Sequence, residues 1–329
     1  MFNSNRAKWL FLFVIFSGMF CFRVQEGLSD EVGRGGFAGS FLRMGLGARA
    51  KGMGGGSVAL AEDANVTYYN PAGLVFLENH WFTATLNSMA LDRRLMYIGY
   101  AQSIQSRQRG LIRGGFSIGW LSASVDHIDG RDLNGHDIGQ FSNGEHCVFF
   151  SFALNPRSNF SIGVSGKFLH NRFPGMTDQG DAVSAVGFGF DIGFMYRPFK
   201  HVFFGFTAKD LGSKYTWDTQ DLWERGTLTV DAFPPVVCVG TALQLFSDRL
   251  ILAVDLRKVE YWPYGYSVGT EIEVYKDLFL RSGVQDGKLA AGAGCRLSMF
   301  GKAVYMDYAF VPDSVAPRGN HIFSWSFVF

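Results

Sequence analysis

Residues 187–196 of this 329-residue chain read GFGFDIGFMY, and this stretch contains the pattern that decides the fold. Phe188, Phe190, Ile192, Phe194 and Tyr196 occupy every second position, with glycine, aspartate or methionine between them. Successive side chains of a β-strand point to opposite faces. The stretch therefore predicts a strand with one oily face and one small or charged face.

The same period of two recurs along most of the chain. It predicts about fourteen strands of about ten residues each, the length that a tilted strand needs to cross a bilayer. These segments lie near 81–90, 94–104, 110–125, 145–156, 159–170, 182–197, 201–211, 235–246, 250–260, 266–275, 278–286, 288–299, 302–311 and 321–329. We therefore predict an all-β fold, a transmembrane antiparallel β-barrel, over residues 81–329.

The connections between these segments support a membrane barrel. Short polar turns alternate with longer links, such as 126–144, 171–181, 212–234 and 312–320. Bacterial outer-membrane barrels have short periplasmic turns and longer extracellular loops. A soluble barrel or sandwich would not need an apolar outer face on every strand. We therefore expect the protein in the bacterial outer membrane, in contact with outer-membrane lipid.

The two ends of the chain indicate the route to that membrane. Arg6 and Lys8 precede the apolar run 9–22, which is typical of a secretory signal peptide, and we assign residues 1–28 to it. Lipidation of Cys21 is a weaker alternative, because the residues before it fit a lipid-attachment site poorly. The last segment carries aromatic residues at alternate positions up to Phe329, which we interpret as a signal for the barrel-assembly machinery.

Composition excludes other classes of protein. Charged residues make up 18% and aromatic residues 16% of the chain, with 41 glycines and 33 phenylalanines. The formal net charge of +1 lacks the basic excess of a nucleic-acid-binding protein. We find no nucleophile, base and acid in a catalytic pattern, so we expect neither an enzyme nor a cofactor. Cys147, Cys238 and Cys295 lie in separate predicted strands and indicate packing residues rather than a metal site.

Charged residues inside the predicted strands fall on the face opposite the oily one and are expected to point into the lumen. A charge near the bilayer midplane on the lipid face would cost about 2–4 kcal/mol. They are Lys167, Asp191, Asp255, Arg257, Glu271, Glu273, Arg281, Arg296 and Asp307. We favour internal ion pairs that fill a narrow barrel, and a polar conduction path is the alternative.

The segment before the barrel, residues 41–74, reads FLRMGLGARAKGMGGGSVALAEDANVTYYNPAGL. Its Gly45–Ala50 part fits a dinucleotide fingerprint, but no strand precedes it and no helix can follow through so many glycines. Asn70 and Pro71 suit the start of a helical turn, and Asp63 suits a cap. We expect residues 29–80 to form a compact, partly helical hatch, for which Gly residues on inner strand faces leave room.

This segment resembles the N-terminal signature of the PorV/PorQ family, which is related to FadL-type fatty-acid transporters and similar spirochaete outer-membrane proteins. The resemblance rests on the short runs around Met44, Ala48, Gly54 and Asp63, and on 69–74. It implies a barrel whose lumen is closed by the hatch and that passes hydrophobic molecules. The predicted hatch or gate residues are Phe41, Arg43, Met44, Gly47, Arg49, Met53, Gly54, Asp63, Asn70 and Pro71. Of these, Arg43, Arg49 and Asp63 are candidates for fixing the hatch to lumen charges.

Two loops carry further candidate residues. The loop 126–137 gathers acids and histidines but departs from EF-hand spacing, so we interpret it as a solvated turn. The loop 215–233 holds Tyr215, Trp217 and Trp223. These aromatic residues suit either an interfacial belt or a landing patch for a lipid-like ligand.

The sequence leaves three functions open. We favour passive uptake of hydrophobic small molecules such as long-chain fatty acids. The alternative is a PorV-like docking role with secretion-system proteins as partners. A general porin, the third option, would need an open polar lumen.

Overall fold

A computed structural model describes residues 37–61, 63–104, 113–175, 181–220, 222, 225–313 and 316–329. The predicted signal peptide and Trp223 lie outside these ranges. Residues 37–329 form one compact unit. In the described ranges, no helix is long and apolar enough to cross a membrane.

Sixteen strands make up most of this unit. They are β1 His80–Ser88, β2 Arg93–Ile104, β3 Arg113–Arg131, β4 Asp137–Arg157, β5 Phe160–Phe173, β6 Val183–Phe199, β7 Val202–Leu211, β8 Lys214–Asp218, β9 Leu228–Ala232, β10 Val236–Leu245, β11 Leu250–Val259, β12 Gly265–Tyr275, β13 Leu278–Gln285, β14 Lys288–Met299, β15 Lys302–Pro312 and β16 Gly319–Val328.

Fourteen of these strands close into an antiparallel barrel. Each barrel strand pairs with its neighbours in the chain, except that β7 pairs with β10 across the inserted β8–β9 hairpin. The first and last strands close the ring, with Trp81 opposite Val328 and Ser88 opposite His321. The predicted barrel of about fourteen strands is confirmed, and each predicted segment corresponds to one barrel strand.

Residues at alternate positions of the barrel strands point to the inside and the outside of the barrel wall. On β6, Phe188 and Phe190 are 63% and 62% exposed, while Gly187, Gly189 and Asp191 are buried toward the lumen. The outward faces of most other barrel strands are also apolar. An apolar outer face and a small or charged inner face are what a bilayer-spanning barrel requires.

The segment before β1 fills the lumen with short helical pieces. We call residues 37–79 the hatch. It contains a 3₁₀ helix at Ser40–Arg43, two α-helical turns, α1 Ala48–Gly52 and α2 Val66–Tyr69, and a second 3₁₀ helix at Pro71–Phe76. None of these pieces could be stable alone in water, because isolated helices shorter than about 12 residues are marginal. Their stability comes from packing inside the barrel.

Two features of the long connections differ from the sequence prediction. The solvated turn expected at 126–137 is shorter than predicted: β3 and β4 continue as a paired ribbon, and only 132–136 form an exposed turn. The link 212–234 contains the β8–β9 hairpin, which pairs with β6 at Ala185 and Val186. Both segments lack a clear alternation of apolar and polar residues, so the periodicity did not reveal them. We call the barrel end that carries them the long-loop end and the opposite one the short-turn end.

Candidate functional site: the hatch and the lumen

The hatch lies directly on a ring of glycines on the inner wall. A Cβ atom added to any of them would come within 2.2–2.8 Å of a hatch atom. They are Gly115, Gly163, Gly193, Gly205, Gly269 and Gly283, on six different strands. Such distances are shorter than any real contact, so only glycine lets the hatch backbone approach the wall this closely.

Asn70 holds the centre of the hatch to the wall. Its Oδ1 accepts a hydrogen bond from Ala72 N (3.1 Å), which makes it the N-cap of the helix that begins at Pro71. Its Nδ2 donates to Val58 O within the hatch (2.8 Å) and to Phe194 O on β6 (3.0 Å). One buried side chain therefore links the two halves of the hatch and the barrel.

Two adjacent tyrosines organise the first half of the hatch. Tyr68 OH donates to Leu42 O (2.7 Å) and accepts from Gly45 N (3.0 Å). Tyr69 OH makes the matching pair of bonds with Leu46 O and Leu46 N. Burial raises the pKa of both tyrosines well above the ordinary value, so both remain neutral donors.

The glycines at two turns of the hatch have backbone conformations that other residues rarely adopt. Gly47, the residue before α1, has φ 77°, and Gly54 has φ 66° and lies against the backbone of Val284. Met53 beside it is fully buried and packs over Gly269 and Gly283. These positions explain the glycine density of the segment.

Arg49 ties the hatch to charges of the wall. Its guanidinium contacts both carboxylate oxygens of Glu271 on β12, at 2.6 and 2.7 Å. Glu271 also binds Arg281 Nε on β13 (2.5 Å), and Arg281 Nη1 binds Asp307 on β15 (2.7 Å). These residues form a buried series of alternating charges, with one residue on each of three strands and one on the hatch.

Within the described ranges, Arg43 and Asp63 form no ion pair with a charge of the wall, unlike Arg49. Arg43 Nη2 donates to Ala38 O (3.1 Å), and its guanidinium lies 5.4 Å from the centre of the Trp262 ring. Asp63 accepts from the backbone and side chain of Asn65, so it caps a turn within the hatch. Arg43 therefore contacts the hatch backbone and a wall aromatic ring, and the Asp63 carboxylate hydrogen-bonds only to its neighbour Asn65 among the described residues.

A second buried charge cluster lies on the opposite wall. Lys167 on β5 binds Asp191 on β6 (2.6 Å) and Asp210 on β7 (2.5 Å), and all three are at most 3% exposed. Asp210 N also donates to Asp191 Oδ1 (2.8 Å). These side chains are buried and each belongs to an ion pair, which fits a structural cluster rather than the wall of an aqueous path.

The remaining lumen charges lie toward the two ends. Asp255 Oδ2 accepts from the backbone N–H groups of Ser57 and Val58 in the hatch, at 2.7 and 3.0 Å. Arg257 pairs with Asp286 at the long-loop end (2.6 Å). At the short-turn end, Arg296 pairs with Asp277, and Glu273 accepts from Asp277 N. Most of the sequence-predicted lumen charges are thus in ion pairs or bind the hatch.

Two cationic side chains near the hatch were not singled out from the sequence. Lys51 is 7% exposed and donates to Met44 O and Gln285 Oε1, both at 3.0 Å. Burial lowers its pKa to about 8. Lys209 on β7 lies with its ammonium 4.1 Å from the centre of the Tyr68 ring. The alternation of β7 would have placed Lys209 on the lumen face, beside Gly205 and Thr207.

A large apolar cluster packs between the hatch and the wall on the long-loop side. Phe41, Leu42, Tyr97, Phe149 and Tyr215 are all at most 2% exposed and belong to one cluster. Met44 and Trp217 pack against this cluster from its edge. The expectation of an exposed landing loop is therefore wrong for Tyr215, which is buried and donates to Glu145.

The lumen on the short-turn side is a wide, mixed vestibule of ≈ 580 Å³. Its walls include Phe76, Phe203 and Trp81 together with charged residues such as Lys200 and Asp248. At its rim, the backbone of Phe329 exchanges two hydrogen bonds with His80, and the two rings stack at 5.7 Å. The hatch thus separates an apolar half of the lumen from a half-polar one.

Solved structures of outer-membrane proteins share this barrel fold. The toluene transporter TbuX of Ralstonia pickettii superposes with a TM-score of 0.62 at 14% identity, over 87% of this chain and 98% of TbuX. A Pseudomonas aeruginosa FadL homologue gives 0.62 at 13% identity, over 86% and 98%. The toluene transporter TodX of P. putida gives 0.55 at 15% identity, over 87% and 99%. These likenesses establish a FadL-type outer-membrane barrel fold.

The sequence places the chain in a family within this fold class. The family model described as type IX secretion system protein PorV matches residues 36–218, more than half of the chain. The protein therefore belongs to the PorV family, as the resemblance in the hatch predicted. A search of curated proteins finds no match.

Proposed function

We propose that this barrel takes up hydrophobic small molecules, such as long-chain fatty acids, passively across the outer membrane. The observation that carries the proposal is the change of lumen polarity across the hatch. An apolar cluster faces the long-loop, extracellular end, and a half-polar vestibule faces the short-turn, periplasmic end. Apolar side chains at the extracellular end favour hydrophobic solutes over ions and sugars.

The same arrangement argues against a general porin. The lumen charges form internal pairs, and the hatch lies on wall backbone at the glycine ring, so no polar path crosses the described part of the lumen. A porin needs the opposite, a water-filled channel.

The test is uptake of labelled fatty acid by cells with and without the protein. We expect the intact protein to accelerate uptake. A variant lacking residues 41–74 is the control for leakage of polar solutes. Equal uptake by cells with and without the protein would contradict the proposal.

A docking role in protein secretion is the second candidate, favoured by the PorV match and by the β3–β4 ribbon. Beyond its last pairs with β2 and β5, this ribbon has two edges, at 126–131 and 137–143, that pair with no other strand in the described ranges. Exposed strand edges are templates for adding a strand from another chain. Secreted proteins should co-purify with the wild-type barrel. They should no longer co-purify when the ribbon is shortened by removing the residues between 125 and 143. Unchanged co-purification would contradict this role.

A further inference from the structure

The lipid-facing surface of strands β2–β5 becomes polar near the long-loop end. At one level the paired residues Ile98, Trp120, Val148 and Phe168 face outward and end the apolar band. Nearer to the long-loop end, the outward positions hold Met96, Ser122, His146 and His170, and then Arg94, Ser124, Gly144 and Arg172. We call Arg94, His146, His170 and Arg172 the basic patch. The end of an apolar band that carries Trp marks the depth of lipid headgroups.

The two arginines of the basic patch have no partner on the protein. Arg94 and Arg172 are exposed, and within the described ranges their guanidinium groups form no ion pair. The two residues between them in the row, Ser124 and Gly144, are small and leave space for a ligand. An arginine stays charged at any depth and binds a phosphate through two parallel hydrogen bonds.

The two histidines of the basic patch also lack a polar partner. His146 and His170 stack on each other with ring centres 6.1 Å apart, and His146 stacks on Trp120 at 5.8 Å. His146 Nδ1 is buried and has no hydrogen-bond partner in the described chain. The other five histidines each meet a carboxylate or a tyrosine hydroxyl, and they are His80, His127, His136, His201 and His321.

One ring nitrogen of the histidine pair points toward the gap between the arginines. A Cβ atom added to Gly144 would lie 3.5 Å from His146 Nε2. Gly144 is itself the cross-strand partner of Arg172. An acceptor in this gap would therefore receive hydrogen bonds from an imidazole and a guanidinium together. A phosphate has several oxygens and a negative charge, which fits this set of donors.

The acids nearest in sequence do not neutralise the basic patch. Glu145 points into the lumen and accepts a hydrogen bond from Tyr215. Asp126 on β3 and Asp181 before β6 lie beyond the row of arginines, toward the extracellular end. The two rows of outward residues that contain the patch hold no acid on β2–β5. The patch is therefore positively charged where the bilayer presents phosphate.

The apolar surface below the basic patch has a depression on β5. Gly166 lies between Phe150 on β4 and Phe190 on β6, which are 58% and 62% exposed. A Cβ at Gly166 would meet only Phe150 O, at 4.0 Å, so the space over this glycine is open. Gly166 lies on the same face as Arg172, about 15 Å deeper in the membrane for a strand tilted by about 40°. An acyl chain that starts at the patch would reach this depression near the bilayer midplane.

We propose that the basic patch binds the phosphate of a lipid in the outer leaflet, with an acyl chain of that lipid lying along β5 over Gly166. His146 and Arg172 hold the phosphate from one side of the gap, and Arg94 faces it from the other. The inference goes beyond the proposed function and is independent of it, because every residue of the site faces away from the lumen.

The test compares two lipids with the same chains, didodecanoyl phosphatidic acid and didodecanoylglycerol. Their binding to the full-length protein in a non-ionic detergent is measured by native mass spectrometry at pH 7. We expect wild type to bind the phosphatidic acid about tenfold more tightly, because charge-assisted hydrogen bonds form only to the phosphate. The variant Arg94→Gln/Arg172→Gln should bind the two lipids equally.

Matched variants separate the site from net charge and from folding. Arg249→Gln/Lys276→Gln removes two exposed positive charges at the short turns and should retain the preference. His146→Phe/His170→Phe keeps two stacked rings without their nitrogens and should weaken phosphatidic acid binding about threefold. Gly166→Leu fills the depression and should weaken the binding of both lipids. A heat-modifiable gel shift establishes that each variant is folded.

A competition experiment distinguishes a lipid headgroup from free phosphate. Inorganic phosphate in large excess should leave the phosphatidic acid bound, because it has no chain to lie over Gly166. Displacement by inorganic phosphate would overturn the assignment to a lipid.

Three other results would also overturn the site. They are equal binding of the two lipids by wild type, an unchanged preference in the folded Arg94→Gln/Arg172→Gln variant, and loss of the preference in the Arg249→Gln/Lys276→Gln control. None of them bears on fatty-acid uptake, which is measured separately in cells.

Discussion

At the scale of single residues, Glu271 links the hatch to the wall through two arginines. It is buried and binds Arg49 on the hatch and Arg281 on the wall. Removal of one partner from a buried ion pair leaves the other charges uncompensated and typically costs about 3–5 kcal/mol. We expect Glu271→Gln to lower the free energy of unfolding by this amount, measured by denaturant titration in detergent micelles.

Glu273→Gln is the matched control for this variant. It lies two residues away on β12, is half-buried and accepts a backbone hydrogen bond from Asp277 at the short-turn end, and within the described ranges it forms no ion pair. We expect a loss of about 1 kcal/mol, because a single hydrogen bond contributes about 0.5–1.5 kcal/mol. Equal effects of the two substitutions would show that the Arg49–Glu271 link does not stabilise the hatch.

Lys51 gives a prediction about pH. Its pKa falls from 10.5 to about 8 because burial removes water from the ammonium, so the folded state disfavours the proton. Its destabilising effect is fully present below about pH 8 and is relieved as the pH rises to 10.5, by at most about 3 kcal/mol. We expect Lys51→Met to be the more stable protein at pH 7 and to lose that advantage by pH 10.5.

The measurement is the difference in denaturation midpoint between wild type and Lys51→Met at several pH values. The comparison cancels the titration of groups that the two proteins share. A difference that stays constant between pH 7 and 10.5 would contradict the buried, uncompensated state of Lys51.

At the scale of elements, the fit between hatch and wall depends on glycine. A Cβ at Gly283 would lie 2.3 Å from the carbonyl carbon of Met53 and 2.4 Å from Gly54 N, both of them backbone atoms that cannot move aside alone. We expect Gly283→Ala to displace the hatch and destabilise the protein by about 1–3 kcal/mol, as overpacking does. Protease cleavage within the hatch should become faster.

Gly166→Ala provides the control for added volume on a strand. At this outward position the new Cβ would meet only Phe150 O, at 4.0 Å. Stability and hatch cleavage should remain at wild-type levels. If both variants behaved alike, the glycine ring would not be what positions the hatch.

At the scale of the whole molecule, the hatch is what closes the barrel. It connects to the wall through Arg49, Asn70, and the backbone groups that bind Asp255. Deletion of residues 41–74 removes these contacts and leaves a lumen lined by glycines and charged side chains. We expect single-channel conductance in planar bilayers to be absent for wild type and large for the deletion variant.

The control for this experiment shortens the β3–β4 ribbon, which lies beyond the barrel. This variant should remain closed, because the ribbon contributes nothing to the lumen seal. Equal ion conductance of the wild-type protein and the deletion variant would contradict the role of the hatch as a seal.

The sequence by itself determined the barrel. Each segment with a period of two forms one strand. The alternation of oily and small residues, as in GFGFDIGFMY, is visible in the local sequence, and it gives the strand one face for lipid and one for the lumen. The glycine-rich segment likewise predicted a compact hatch, since glycine density and an Asn-Pro cap are local signals.

Only the tertiary structure decided which residues meet. Arg49 and Glu271 are 222 positions apart, and their contact depends on the closure and register of the barrel. The same holds for the burial of Tyr215 and for the position of the β8–β9 hairpin. The alternation assigns a side chain to the lipid face or the lumen face of a strand. Its depth in the membrane and its contact partners are set only when fourteen strands close around the hatch.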